Sequence, residues 1–98
     1  MAKWSVLTAR KLKSGSYDDW RAAWEPAEWP EGVTGYILRK VGSPDEVIAF
    51  GFFDGTREEL EALRPGPDAE EARSAAMAPF IENQFADGLY EVVEVVEG

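Results

Sequence analysis

Tyr17, Trp20 and Trp24, at i, i+3 and i+7, are the residues of this chain best suited to hold a small molecule. On a helix that spacing puts all three rings on one face. Such rings offer flat apolar walls with a polar edge, which suits an aromatic or quinone-like ligand. The same rings serve equally to pack a helix on a sheet, and both uses stay open. Arg10 shares a strand face with Thr8 and either balances an anionic oxygen there or snorkels to the surface. Asn83, the only asparagine, either holds a substrate oxygen or caps a helix end. Gly51, between Phe50 and Phe52, either leaves space above a sheet floor or marks a bulge or close packing. With Phe52 and Phe80 as further apolar walls, the candidate ligand-binding set is Thr8, Arg10, Trp20, Trp24, Phe52, Phe80 and Asn83. No catalytic residue is assigned.

Composition narrows the chemistry. The 98 residues contain no cysteine and no histidine. Thiolate metal sites and disulfides are therefore excluded, and the usual general base near neutral pH is missing. The expectation is a protein with no metal and no cofactor. Glu58, Glu59 and Glu61, like Glu70 and Glu71, fall in helix first turns, and nothing pairs them for acid–base work. The formal net charge of −9 is uneven: residues 1–40 hold seven Lys/Arg against five Asp/Glu, residues 41–98 three against fourteen. That field disfavours nucleic acid and anionic membranes. It favours a neutral or apolar ligand, or an anion met by one local arginine. Ala49-Phe-Gly-Phe-Phe53 echoes the aromatic strand of RNA-recognition motifs, but Val47-Ile48 stands where their basic residue belongs. No run approaches the roughly 20 apolar residues of a membrane span. Met-Ala-Lys-Trp-Ser leads straight into a strand pattern without a signal-like apolar stretch, so the expected location is cytoplasmic.

The elements that must position these side chains can be read in order. Alternation predicts a strand over about Lys3 to Leu12, with Trp4, Val6, Thr8 and Arg10 on one face. Ser16 can cap a helix carrying the aromatic triplet, which Pro26 ends. An irregular connection, Glu25 to Gly35, leads to a strand from Tyr36 to Val41. Gly42-Ser-Pro-Asp-Glu46 then turns into a strand from Val47 to Phe53. Asp54-Gly55 stops that strand, and Thr56-Arg-Glu-Glu59 is a capping box opening a short helix. After Arg64-Pro-Gly-Pro67, Asp68 caps a longer helix with Ala72, Ala75, Ala76, Pro79 and Phe80 along one side and Asn83 continuing the line. Asp87-Gly88 reads as a stop, and Leu89 to Val96 as the closing strand.

This order predicts one α+β domain over residues 1–98, a ferredoxin-like β-α-β-β-α-β sandwich with a four-stranded antiparallel sheet. Val47 to Phe53 is apolar on both faces, and so is the closing strand. Helices of this total length cover only one face of such a sheet. A second copy of the chain is the economical cover for the other, which predicts a sheet-to-sheet homodimer.

The chain resembles the antibiotic biosynthesis monooxygenase group of the dimeric α+β barrel superfamily. The likeness rests on Leu12-Lys-Ser-Gly15, Gly42-Ser-Pro-Asp-Glu46, Phe53-Asp-Gly-Thr-Arg-Glu-Glu-Leu60 and Pro79-Phe80-Ile81, and spans nearly the whole length. It implies a ligand cleft between sheet and helices in each subunit. It also implies one of several activities: cofactor-independent quinol oxygenation, haem degradation, or none known. The haem-degrading branch uses a helical histidine that this chain lacks, and an asparagine where Thr8 stands. Tyr36, Tyr90 and Met77, the remaining side chains able to approach iron, read as core or rim. Gly51-Phe52-Phe53 replaces the Glu-x-Trp-like strand end of many relatives, so no particular catalytic mechanism carries over. The functional expectation is a cofactor-independent monooxygenase acting on an aromatic or quinol-type compound. The alternative is a non-catalytic ligand-binding or interaction module of the same fold.

Overall fold

In the computed structural model, residues 2–25, 32–63 and 66–98 are described. The strands are β1 (Ala2–Leu12), β2 (Thr34–Lys40), β3 (Ser43–Gly55) and β4 (Ile81–Glu91). Helix α1 (Tyr17–Trp24) joins β1 to β2, while α2 (Arg57–Leu63) and α3 (Pro67–Met77) join β3 to β4. The sheet is antiparallel throughout, in the order β2-β3-β1-β4. This is the ferredoxin-like arrangement that the sequence predicts.

Register sorts the side chains into two faces, because directly paired residues point the same way. One face carries three rows: Gly35–Gly51–Val6–Leu89, Ile37–Ala49–Thr8–Asp87 and Arg39–Val47–Arg10–Gln84. The helices pack on this face, where Leu12, Trp20, Val47, Ala49 and Met77 form the buried cluster. The other face carries Thr34–Phe52–Ser5–Tyr90, Tyr36–Phe50–Leu7–Gly88 and Leu38–Ile48–Ala9–Ala86. No described element covers it.

Local chemistry explains most boundaries. Both halves of the capping box form: the Thr56 N–H donates to Glu59 Oε1 and the Glu59 N–H to Thr56 Oγ1, each at 3.1 Å. The β2–β3 turn is tighter than the five residues expected. Lys40 pairs with Ser43, and Gly42 takes the positive φ of 85° that glycine tolerates best. Pro44 to Glu46 then sit in a register shift before Val47 meets Arg39, so proline costs no ladder bond at mid-strand.

Three expectations need correction. The closing strand runs Ile81–Glu91 rather than Leu89 to Val96. Asn83 is therefore a strand residue, and Asp87-Gly88 is not a stop but pairs with Thr8 and Leu7 in mid-ladder. The long β1 offers partners over that whole length, and a bulge at Phe85 absorbs the mismatch; pairing overrides the local turn signal. In α3 the inward face is Arg73 and Met77, while Ala72, Ala75 and Ala76 are exposed. Longer side chains reach the core from a helix that packs mainly against α1. Finally, α3 starts at Pro67 with Gly66 as its N-cap, not Asp68. The expected helix stop at Pro26 and most of the connection after it, like the start of the Arg64-Pro-Gly-Pro67 turn, lie outside the described residues.

Candidate functional site

The aromatic triplet does share one face of α1. Tyr17 and Trp20 ring centroids are 5.8 Å apart, and Trp20 and Trp24 6.1 Å, both pairs tilted. The three rings nevertheless occupy different depths. Trp20 is 0% exposed and sits at the centre of the core, whereas Trp24 is half-buried at its margin. A cavity of about 320 Å³ opens beside Trp24, bounded among the described residues by Arg21, Trp24, Val33, Gly35 and Ile37. That volume lies at the lower end of small-molecule sites.

Strand pairing next to this cavity explains the glycine that the sequence left ambiguous. Gly51 pairs in regular register with Gly35, so there is no bulge there, and two adjacent strands present no side chain at that point. A Cβ on Gly51 would come within 3.2 Å of the Thr34 carbonyl oxygen and 3.5 Å of Val33 Cγ1. Close strand approach calls for glycine here. Parity also separates residues that the sequence had grouped. Phe52, one position from Gly51, faces the opposite side of the sheet, where it packs edge-on to Phe50 with centroids 5.5 Å apart. Asn83 is exposed on β4, its Oδ1 accepting from the Gln84 N–H at 2.9 Å. Phe80 packs against the buried cluster, and Thr8 is half-buried on the helix side. Of the seven candidates, then, Trp24 borders this cavity, Thr8, Trp20 and Phe80 lie on the helix side of the sheet, Arg10 borders a second cavity of about 320 Å³ with Leu38, Lys40, Ile48 and Phe85, and Phe52 and Asn83 lie elsewhere. Val33, Gly35 and Ile37 were missed; strand parity in β2 is the signal that could have linked them.

Arginines surround the rings. The Arg39 guanidinium lies 4.5 Å from the Tyr17 ring centroid, and Arg21 and Arg73 lie 5.1 and 5.4 Å from that of Trp24. Arg21 also pairs with Glu25. The Arg73 Nε–H donates to the Trp24 carbonyl at 2.6 Å. Arg10 does not snorkel: it is 7% exposed, donating from Nε to Gln84 Oε1 at 3.1 Å and from Nη1 to Met77 Sδ at 3.7 Å. Burial pushes its pKa below the ordinary arginine value; Asp87 opposes the shift and Arg73 adds to it. Arg73 is likewise lowered by burial, against Glu70 and Glu25. Among the described residues no three Asp or Glu side chains converge as a metal site, and no helix is long and apolar enough to cross a membrane.

No family model and no curated protein matches the chain. Solved structures do. A candidate antibiotic biosynthesis monooxygenase from Caulobacter crescentus superposes with a TM-score of 0.69 at 14% identity, over 97% of this chain and 92% of that one. A second, from Chloroflexus aurantiacus, gives 0.66 at 20% identity over 98% and 96%. A third, from Bordetella bronchiseptica, gives 0.60 at 13% identity over 98% and 100%. Element order, strand order and full-length superposition agree: the chain has the ferredoxin-like α+β fold of antibiotic biosynthesis monooxygenase-type structures.

Proposed function

We propose that this protein binds a planar aromatic or quinol-type small molecule between α1 and the sheet and acts on it as a cofactor-independent monooxygenase. The observation that carries the reading is the cavity beside Trp24, where Gly35 presents no side chain and Val33, Ile37 and Arg21 complete the described lining. The fold relatives, named as candidate monooxygenases, support the reaction class. In this cofactor-independent reading the substrate itself supplies the electrons. An anthrone illustrates the balance: its ring CH2 becomes C=O with one oxygen atom of O2. The other atom leaves as water with the two displaced hydrogens.

The reading includes a homodimer joined through the open sheet face. Tyr36, Leu38, Ile48, Phe85 and Tyr90 on that face are 40–59% exposed. Monomers rarely leave so continuous an apolar surface uncovered. The molecule is a slab of 40 × 39 × 20 Å, so its broad face has room for the roughly 800 Å² per partner of a standard interface. Beyond β4, Val93, Val95 and Val96 are also exposed and add to the apolar surface.

A specific observation favours the second reading, a non-catalytic binding module: the described cavity lining contains no side chain able to act as a base near neutral pH. Oxygen uptake with an anthrone separates the two. The monooxygenase reading expects uptake well above autoxidation, one O2 per anthrone and no peroxide. Trp24→Ala should slow it about tenfold or more, since one lost aromatic wall is worth ~1.5–3 kcal/mol. Uptake equal to buffer while the ring binds would leave only the binding module.

A further inference from the structure

Among the described residues that bound the cavity beside Trp24, Arg21 carries the only charge. Apart from the Trp24 indole, the rest of that lining is Val33, Gly35 and Ile37, which offer no polar side-chain atom. The cavity thus combines an apolar wall with one cation. The Arg21 guanidinium is steadied by the ring beside it, lying 5.1 Å from the Trp24 centroid and in cation–π range. Its Nη1 pairs with Glu25, while Nε and Nη2 make no hydrogen bond to any described residue. A guanidinium holds its five N–H donors in a fixed fork, which matches a carboxylate or a phenolate oxygen.

The partner that Arg21 already has does not close the site. Arginine four residues before an acid is the weaker order for a helical pair, and Glu25, the C-cap of α1, stands at the negative end of the helix dipole. The pair therefore adds little to the helix. Glu25 is exposed, so an incoming anion can share Arg21 with it or turn it out into water at small cost. Arg73 reinforces the spot. Its guanidinium lies 5.4 Å from the same indole centroid and has no carboxylate within 4 Å among the described residues. Glu70 and Glu25 reach Arg73 only through their fields. Two guanidinia thus stand against one indole with one carboxylate in direct contact, a local balance opposite in sign to the chain's −9.

We infer that Arg21 makes this cavity selective for planar aromatic anions, binding a carboxylate or phenolate through Nε and Nη2 while the ring lies against Trp24. The inference rests on the small-molecule reading above and narrows it to ligands already ionised in solution, since the described lining offers no base to ionise them. The acidic surface does not oppose this. Contact with the fork decides at short range, and exposed charges beyond about 10 Å are largely screened at 0.1 M salt.

Anthracene-9-carboxylate and its neutral counterpart 9-anthracenemethanol test the selectivity in the full chain, the readout being the ratio of their affinities. In the wild type the carboxylate should bind about fivefold or more tightly, between what an exposed ion pair and a buried charge-assisted bond give. Arg21→Gln keeps a polar side chain without the charge and should bring the ratio below about twofold. Glu25→Gln removes the competing carboxylate and should raise the ratio about threefold or more. Glu70→Gln makes the same change in net charge on the Arg73 side and should leave the ratio within about twofold, which separates contact from overall field. The two glutamate variants still report if Arg21→Gln fails to fold. An unchanged ratio in Arg21→Gln would overturn the selectivity, as would no rise in Glu25→Gln or an equal one in Glu70→Gln. Equal binding of both probes to the wild type overturns it too and leaves the aromatic site standing. Binding of neither overturns both.

Discussion

Ile48→Lys should convert the proposed dimer to a monomer without unfolding the chain. Ile48 lies in the row Leu38–Ile48–Ala9–Ala86 on the uncovered face and is 40% exposed in the single chain. A lysine there has water around it in the monomer, so the fold loses little. In a sheet-to-sheet dimer the same ammonium is buried without a partner, at a cost of ~3–5 kcal/mol, or roughly 10²- to 10³-fold in the association constant. Sedimentation equilibrium at micromolar concentration should report about twice the chain mass of 10.9 kDa for the wild type and one chain mass for the variant. A monomeric wild type contradicts the dimer; a variant that stays dimeric moves the interface off this face.

Trp20→Ala should cost ~3–5 kcal/mol of folding stability through lost burial and the cavity left behind. Trp20 is fully enclosed between α1, the sheet and Met77, and its ring contacts both neighbours of the aromatic ladder. Trp20→Phe keeps most of the apolar contact and deletes an N–H that has no partner among the described residues, so it should cost far less. Urea unfolding of the pair measures this directly. A Trp20→Ala loss below about 1 kcal/mol would mean that the ring is not the keystone of the core.

How much of this was legible in the sequence depends on the kind of signal. Spacing fixes faces, and so the α1 ladder and the parity of β1 read correctly: Thr8 and Arg10 do share the helix side. Reciprocal local bonds read equally well, as Thr56 and Glu59 show. Spacing does not fix depth. Trp20 and Trp24 are equivalent in pattern, yet one is enclosed and the other borders a cavity. Arg10 reads either as a counter-ion to an anionic oxygen or as a snorkelling surface arginine, and only the approach of α3 and β4 encloses it. Neither does local chemistry fix pairing. Asp87-Gly88 carries a turn signal but has a long partner strand beside it, so the ladder wins and Asn83 moves from a helix line to a strand. The register of β2 and β3 is a further non-local fact: it places Gly35 against Gly51 and sends Phe52 to the far side.

Trp24 fluorescence is the most direct test of the central claim that a flat ring binds between α1 and the sheet. Titrating 9-anthracenemethanol into the wild type at micromolar concentration should quench tryptophan emission. Trp24→Phe should remove the larger part of that quenching while the fold survives, because phenylalanine retains most of the apolar contact. Trp4, whose indole N–H bonds the Gly55 carbonyl at 3.0 Å, sits apart and should contribute background in both proteins. Quenching undiminished in Trp24→Phe, or none in either protein, would contradict the account.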